Sequence, residues 1–138
     1  MSKWYNTPYD KTHDFSINSE YNINKKLKIV GNFIFQTGQP TNYPNSQYNY
    51  MNLNVPNYGE RNSQRLPNYH RLDINLTLTP NRNNKKIESS WVFGIYNIYD
   101  RDNASSIIFR RNNETLKNEA VQISIFGIVP SVTYNFKF

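Results

Sequence analysis

Tyr69-His70-Arg71-Leu72-Asp73-Ile74-Asn75-Leu76-Thr77-Leu78-Thr79 alternates without a break: Leu72, Ile74, Leu76 and Leu78 fall on one side of an extended chain, and Arg71, Asp73, Asn75 and Thr77 on the other. Side chains of a strand alternate with a period of two, whereas a helix would scatter both sets around its axis. The stretch therefore predicts a half-buried strand over 69–79.

The same contrast recurs upstream. Over 14–23, Phe15, Ile17, Ser19, Tyr21 and Ile23 oppose Asp14, Ser16, Asn18, Glu20 and Asn22. A tight turn at Asn24-Lys25 leads into 26–36, where Leu27, Ile29, Gly31, Phe33 and Phe35 oppose Lys28, Val30, Asn32, Ile34 and Gln36. Downstream, the polar run Pro80-Asn81-Arg82-Asn83-Asn84-Lys85-Lys86 predicts a turn. A strand over 88–100 follows around Trp91-Val92-Phe93-Gly94-Ile95-Tyr96-Asn97-Ile98-Tyr99, with its facing ambiguous. A polar loop over 101–120 holds a short apolar piece, Ser106-Ile107-Ile108-Phe109, before a last strand over 121–138. Pro130 within that strand is tolerable at an edge or a bulge. The expected fold is all-β, with about five antiparallel strands in up-and-down order.

Composition decides what covers the apolar faces. Hydrophobic residues make up 37% of the 138 residues, little for a self-sufficient soluble core. No apolar run approaches the roughly 18 residues of a spanning helix. Aromatic residues reach 15%, with eleven Tyr and eight Phe. A membrane β-barrel has this signature, because each strand shows lipid only every second residue and the average stays polar. The mean hydropathy of -0.79 agrees. The net charge of +6 is spread over separate clusters, Lys25 with Lys26 and Lys28, Arg61 with Arg65, Arg82 with Lys85 and Lys86, and Arg110 with Arg111, and no stripe gathers them for nucleic acid. There is no cysteine, hence no disulfide and no thiolate site. The opening Met1-Ser2-Lys3-Trp4-Tyr5-Asn6-Thr7-Pro8 has no apolar core of a secretion signal, so an outer-membrane location predicts a further N-terminal portion.

Connection lengths add a direction. They run short near 24, long over 38–68, short over 80–87 and medium over 101–120; the long one holds Pro40, Pro44, Pro56, Gly59 and Pro67 and no periodicity. Outer-membrane barrels have short periplasmic turns and long extracellular loops. On that rule the first strand runs inward and the fifth ends in the periplasm. At the terminus Val132, Tyr134, Phe136 and Phe138 share a face, opposite Ser131, Thr133, Asn135 and Lys137. A terminal aromatic fits the interfacial girdle of a barrel, and the pattern resembles the strand signal read by the barrel-assembly machinery.

Five blocks then carry a resemblance to a family. They are Tyr9-Asp10-Lys11-Thr12-His13-Asp14-Phe15, Gln36-Thr37-Gly38-Gln39-Pro40-Thr41, Arg65-Leu66-Pro67-Asn68-Tyr69-His70-Arg71-Leu72-Asp73, Trp91 through Arg101, and Ile128 through Phe138. In that order they resemble the C-terminal barrel segment of TonB-dependent outer-membrane receptors, of the Bacteroidetes type with a carboxypeptidase-regulatory-like domain. The resemblance implies active nutrient import through a barrel of about 22 strands with a plug inside it. Residues 1–138 correspond to the C-terminal portion of that barrel, without plug or earlier strands. About five strands cannot close a barrel, so the segment is expected not to transport alone.

Candidate residues follow. Asp14, Glu20, Arg71 and Asp73 are expected to face the lumen, where they meet the plug or one another. The Tyr-rich connection, with Tyr43, Tyr48, Tyr50 and Tyr58, is a candidate contact for a ligand such as a sugar, or for a surface lipoprotein. His13 and His70 lie on separate strands and do not make the three or four convergent ligands a metal needs. No catalytic constellation assembles, and no cofactor is expected. The expected partners are outer-membrane lipid, the assembly machinery and the remainder of the receptor, and nucleic acid is not among them. The competing expectation is a small soluble or oligomeric β-protein that binds a glycan through the Tyr-rich loop.

Overall fold

The computed structural model describes residues 4–51, 53–80, 88–112, 114–115 and 118–137. Within them the chain is all-β and antiparallel, without a helix. The strands are β1 (Asp14–Asn22), β2 (Leu27–Gln36), β3 (Pro40–Thr41), β4 (Pro44–Tyr50), β5 (Leu53–Tyr58), β6 (Gln64–Arg65), β7 (Tyr69–Leu78), β8 (Glu88–Tyr96), β9 (Ala104–Arg111), β10 (Asn118–Ser124) and β11 (Val129–Lys137). Five long strands build one sheet in the order β1-β2-β7-β8-β11. Every neighbouring pair in it is antiparallel. The rest form two arms. One carries β3 paired with β6 and β4 paired with β5, and the other is the β9–β10 hairpin.

Both arms leave from the same end of the sheet. β2 and β8 end there, and β7 and β11 begin there. The opposite end has a tight β1–β2 turn, in which Asn24 Oδ1 accepts the N–H groups of Lys26 at 2.8 Å and Leu27 at 3.0 Å. Asn does this well because its short side chain mimics a backbone turn. The turn expected over 80–86 lies, from 81 onward, outside the described residues.

Register sorts the side chains into two faces. On one face Ile17, Phe33 and Leu72 form a row across β1, β2 and β7. Tyr21, Ile29, Leu76, Phe93 and Val132 form another across all five strands. Leu27, Leu78, Trp91 and Tyr134 form a third near the turn end. This resolves the facing of the strand expected over 88–100: Trp91, Phe93 and Ile95 share the apolar face. The reverse face holds rows such as Asn18, Asn32 and Asp73, and Asn22, Lys28, Thr77, Val92 and Thr133.

Nothing among the described residues covers the apolar face. No described hydrophobic residue is buried, and Ile17, Val132 and Phe136 stay 58%, 63% and 65% exposed. Aromatic rings gather at both ends of this face. Toward the arms, Phe15 lies 5.2 Å from Phe35 and 6.0 Å from Phe33. Toward the turns, Trp91 lies 4.6 Å from Tyr134, which stacks on Phe136 at 6.0 Å. Between them the central row, Gly31, Ile74 and Ile95, carries no aromatic ring, and the rows on either side mix Ile17 and Leu72 with Phe33, and Ile29 and Leu76 with Tyr21 and Phe93.

Four expectations from the sequence are corrected. The run over 121–138 is two strands in different sheets, with β10 ending at Ser124 and β11 starting at Val129. A bend at 125–128 separates them. It is held by Asp100 Oδ1, which accepts the Ile128 N–H at 2.7 Å, and it passes the same carboxylate so closely that a Cβ at Gly127 would lie 2.5 Å from that oxygen. The piece Ser106–Phe109, read as part of a polar loop, belongs to β9 and pairs with β10, Phe109 opposite Ala120 and Ile108 opposite Val121. Three consecutive apolar residues, Ile107, Ile108 and Phe109, hid its alternation. The connection over 38–68 is likewise an ordered arm, whose prolines sit inside its short strands at Pro40, Pro44 and Pro56. The strand expected over 88–100 also ends earlier, at Tyr96, where Asn97 takes a left-handed φ of 55°.

Candidate functional site at the arm end of the sheet

The polar residues of the arm end are locked into one network. Its centre is Asn97, which is fully buried. Its backbone N–H donates to Asp73 Oδ1 at 2.9 Å, its Nδ2 donates to the Arg101 carbonyl at 3.0 Å, and its Oδ1 accepts the Arg101 N–H at 3.2 Å. The same Asp73 carboxylate takes Arg71 Nε at 2.9 and 3.0 Å on its two oxygens. Arg71 Nη1 donates to the phenols of Tyr69 at 2.8 Å and Tyr96 at 2.6 Å, and the guanidinium sits 4.0 Å from the centre of the Tyr96 ring. A planar fork that also stacks on an aromatic face is a role lysine cannot take over.

Neighbouring segments are tied in by backbone-directed bonds. Asn103 and His70 exchange two, at 3.1 and 3.0 Å. Arg101 Nη2 donates to the Asn68 carbonyl at 3.2 Å, and Asn68 Oδ1 accepts the Gly38 N–H at 3.1 Å. Arg65 pairs with the Asp10 carboxylate and donates to the Gly38 carbonyl at 2.9 Å. Gly38 has to be glycine here, because a Cβ would overlap the Leu66 carbonyl oxygen. His13 and Thr37 close the first strand onto the second through a backbone bond at 2.9 Å and a side-chain bond at 2.8 Å.

Replacing Asn97 with Ala is expected to loosen this end by about 2 to 4 kcal/mol, from orphaned buried partners and a left-handed residue with a Cβ. Asn97→Gly keeps the backbone geometry and should lose less. Hydrogen exchange at the Arg101 amide, read in detergent, checks both.

Above this network lies a cavity of about 310 Å³, lined among others by Gln36, Thr37, Tyr69, Tyr96, Asn103 and Phe126. Leu66, Pro67 and Ile125 share the lining with these amides, hydroxyls and rings, an uncharged and largely apolar set. A second cleft of about 510 Å³ separates the two arms, between Gln47, Leu53, Phe109, Arg110 and Asn118. The arms touch across it: the Tyr43 ring meets Phe109 edge-on at 5.5 Å, and Asn118 donates to Gln47.

The residues expected from sequence separate into groups. Asp14, Glu20, Arg71 and Asp73 all lie on the polar face of the sheet. Only Arg71 and Asp73 touch each other; Asp14 pairs with Lys11 at 3.4 Å and Glu20 with Lys28 at 3.2 Å. Such exposed pairs contribute about 0 to 1 kcal/mol. The four tyrosines do not form one patch. Tyr48 and Tyr50 share a face of the β4–β5 hairpin with Val55 and Leu53, Tyr58 sits at its base opposite Pro44, and Tyr43 turns toward the other arm. Burial raises the Tyr43 phenol, whose oxygen has no hydrogen-bond partner among the described residues. Val132, Tyr134 and Phe136 lie on the apolar face of β11, and Phe138 lies outside the described residues.

Asn97, Asn103 and Arg65 were not singled out by type. Only Asn97 carried a local signal: with Asp100 it takes a left-handed φ, at 55° and 52°, and Tyr-Asn-Ile-Tyr-Asp offers the two residue types that tolerate it. Among the described residues no group of three or more His, Cys, Asp or Glu is placed to hold a metal ion.

The second arm carries a titrating carboxylate, Glu119. Glu119 accepts Asn112 Nδ2 at 3.0 Å and Arg110 Nε at 2.8 Å, and these bonds, Asn112 first, hold its carboxyl below the usual carboxylate range. A lowered folded-state value stabilises the hairpin at pH above the ordinary glutamate value of about 4.3, and the contribution disappears as pH falls through the lowered value. Amide protection across β9–β10 is therefore expected to drop between neutral and strongly acid pH, and Glu119→Gln should flatten that response.

No protein-family model matches the chain, and no curated protein or solved structure does.

Proposed function

We propose that this chain is a section of outer-membrane barrel wall, the last strands of a TonB-dependent receptor that imports a nutrient, with the arms on the cell surface and β11 ending toward the periplasm. The observation that carries the reading is the five-stranded sheet with one polar face and one uncovered apolar face. In water, each large apolar side chain left bare forfeits about 1.5 to 3 kcal/mol, and a soluble domain would bury that face under a second layer. In lipid the same face is at home. A ten-residue strand such as β2 extends about 33 Å at about 3.3 Å per residue and, tilted by about 40°, covers about 25 Å, the height of a barrel's apolar band. Aromatic rings at both ends of the face match the two interfacial girdles.

Two further observations support the reading. Both long connections leave from one end and the tight Asn24 turn lies at the other, the asymmetry of outer-membrane barrels. Four of the sequence blocks that carry the family resemblance also meet at that end, through Asp10 with Arg65, Gly38 with Asn68, Asp73 with Asn97 and Arg101 with Asn68. In this role the polar face lines the lumen, where Arg71 and Asp73 form a rigid platform for the plug, and the cavity beside Tyr69 and Tyr96 opens toward incoming substrate.

Sedimentation of the expressed chain with and without detergent tests the wall reading. Recovery of strand signal only in detergent is the expected result. A soluble, cooperatively folded monomer in plain buffer contradicts it and turns attention to glycans for the arms. The receptor class is tested separately: the reading frame upstream should encode a plug and the preceding strands.

A further inference from the structure

Two features of the cavity at the arm end have no role in a barrel wall. The first is apolar surface on the wet side. Ile125 and Phe126, in the bend between β10 and β11, are 65% and 60% exposed. They line the cavity together with Gln36, Tyr69 and Tyr96, whose places in the strands put them on the polar face, where lipid does not reach. The Phe126 ring stands perpendicular to the Tyr96 ring, with 6.3 Å between centres. A third flat ring laid parallel to one of them meets the other edge to face, and those are the two arrangements that aromatic rings prefer.

The second feature is how few polar groups the cavity has left to offer. No Lys, Arg, Asp or Glu is among its described lining residues. Both amide atoms of Asn103 are bonded to His70, and Thr37 Oγ1 accepts the His13 N–H at 2.8 Å and donates to the His13 carbonyl at 3.2 Å. Gln36 Nε2 donates to the two Asp14 oxygens at 3.1 and 3.3 Å, which leaves its Oε1 as an acceptor. Arg71 Nη1 donates to the phenol oxygens of Tyr69 and Tyr96. A guanidinium cannot accept, so each phenol keeps its own proton to give. One of these can go to the other phenol, and at least one O–H is then left for a third group. Gln39 and Ser105 are exposed and stay in contact with water.

We infer that this cavity binds a neutral aromatic molecule carrying one amide or lactam edge, with its ring against Phe126 and Tyr96 and its edge on Gln36 and the phenols. The inference rests on the wall reading above for the side from which the ligand arrives, the lumen. An amide edge brings one acceptor for the phenol O–H and one donor for Gln36 Oε1. The volume of about 310 Å³ stands at the small end of the range, about 300 to 1,000 Å³, that holds small molecules. A sugar is matched poorly, because its hydroxyls point in nearly every direction and the committed amides leave several of them unpaired on burial. An anion is matched poorly too, since the nearby Arg71 already holds Asp73.

Benzamide, benzoate and methyl glucoside serve as probes. Each is titrated against the full chain folded in detergent, saturation transfer from protein to probe is read by NMR, and micelles alone set the background. Benzamide is expected to saturate and to bind about tenfold or more tightly than benzoate, which differs from it in charge, and than methyl glucoside. Phe126→Ala removes an exposed ring and should weaken benzamide by about tenfold, with hydrogen exchange across β7 and β8 unchanged. Gln36→Met, which removes the acceptor and keeps the length, should weaken it as well. Methyl glucoside or benzoate binding as tightly as benzamide overturns the inference, and so does a benzamide affinity indifferent to Phe126→Ala. Folding in plain buffer would remove the wall reading alone, and the same titration run in buffer still decides the site.

Discussion

Ile74→Arg is expected to weaken insertion into lipid vesicles by about 2 to 4 kcal/mol, the cost of a guanidinium near the midplane on the lipid face of a barrel. Ile74 stands in the middle of the sheet, opposite Gly31 on β2 and Ile95 on β8, with aromatic rings farther along the face in both directions. The neighbouring Asn75 lies on the polar face, opposite Val30 and Gly94. Asn75→Arg therefore puts the same charge one residue away onto the polar face, which lines the lumen in the proposed wall, and its effect should stay within about 0.5 kcal/mol. Urea titration of folding into vesicles reads both variants. For a soluble sheet the Ile74 substitution would instead relieve exposed apolar surface and improve solubility, so the sign of its effect separates lipid from water.

Asp73→Ala is expected to cost about 2 to 4 kcal/mol, the penalty of leaving a half-buried guanidinium and a buried N–H without their acceptor. The Arg71 and Asp73 side chains are only 17% and 14% exposed. Deleting the carboxylate leaves Arg71 without its counter-charge and the Asn97 N–H without its acceptor, so the damage should spread from the polar face to the turn over 97–101. Asp73→Asn keeps an acceptor for Asn97 and should lose a smaller share. Denaturation in detergent gives the size of each loss, and exchange of the Asn97 amide tells whether the turn has come loose.

Much of the sheet was legible because its information is local. In 14–23 and 69–79 nearly every residue type declares its face, in 26–36 Phe33, Phe35 and Lys28 outweigh Val30 and Ile34 on the polar side, and the strands end within a residue or two of where alternation fails. The facing of 88–100 was not legible, because Val92 is apolar on the polar side and Gly94 declares no side at all. Pairing with β7 decides it, by setting Trp91 opposite Leu78 and Phe93 opposite Leu76. The arms were harder for a different reason. Their strands are short, contain prolines, and are fixed by contacts far apart in sequence, such as Asn62 Nδ2 donating to the Asn6 carbonyl at 2.6 Å. The candidate site was legible in part. Arg71 and Asp73 alternate cleanly within a strand, but their joining to Asn97 depends on a left-handed residue at the end of another strand, and a period-two pattern cannot report that.

The proposed wall requires the apolar face to be the lipid face, and Trp91 reports on it directly. Trp91 lies on that face near the turn end, and the other tryptophan, Trp4, is removed by Trp4→Phe. The chain is reconstituted in vesicles whose acyl chains carry bromine, and Trp91 fluorescence is compared with that in unbrominated vesicles. Strong quenching by bromine placed close to the headgroups, with little quenching by acrylamide from the water, is the predicted result. Fluorescence indifferent to brominated lipid and readily quenched by acrylamide would contradict it.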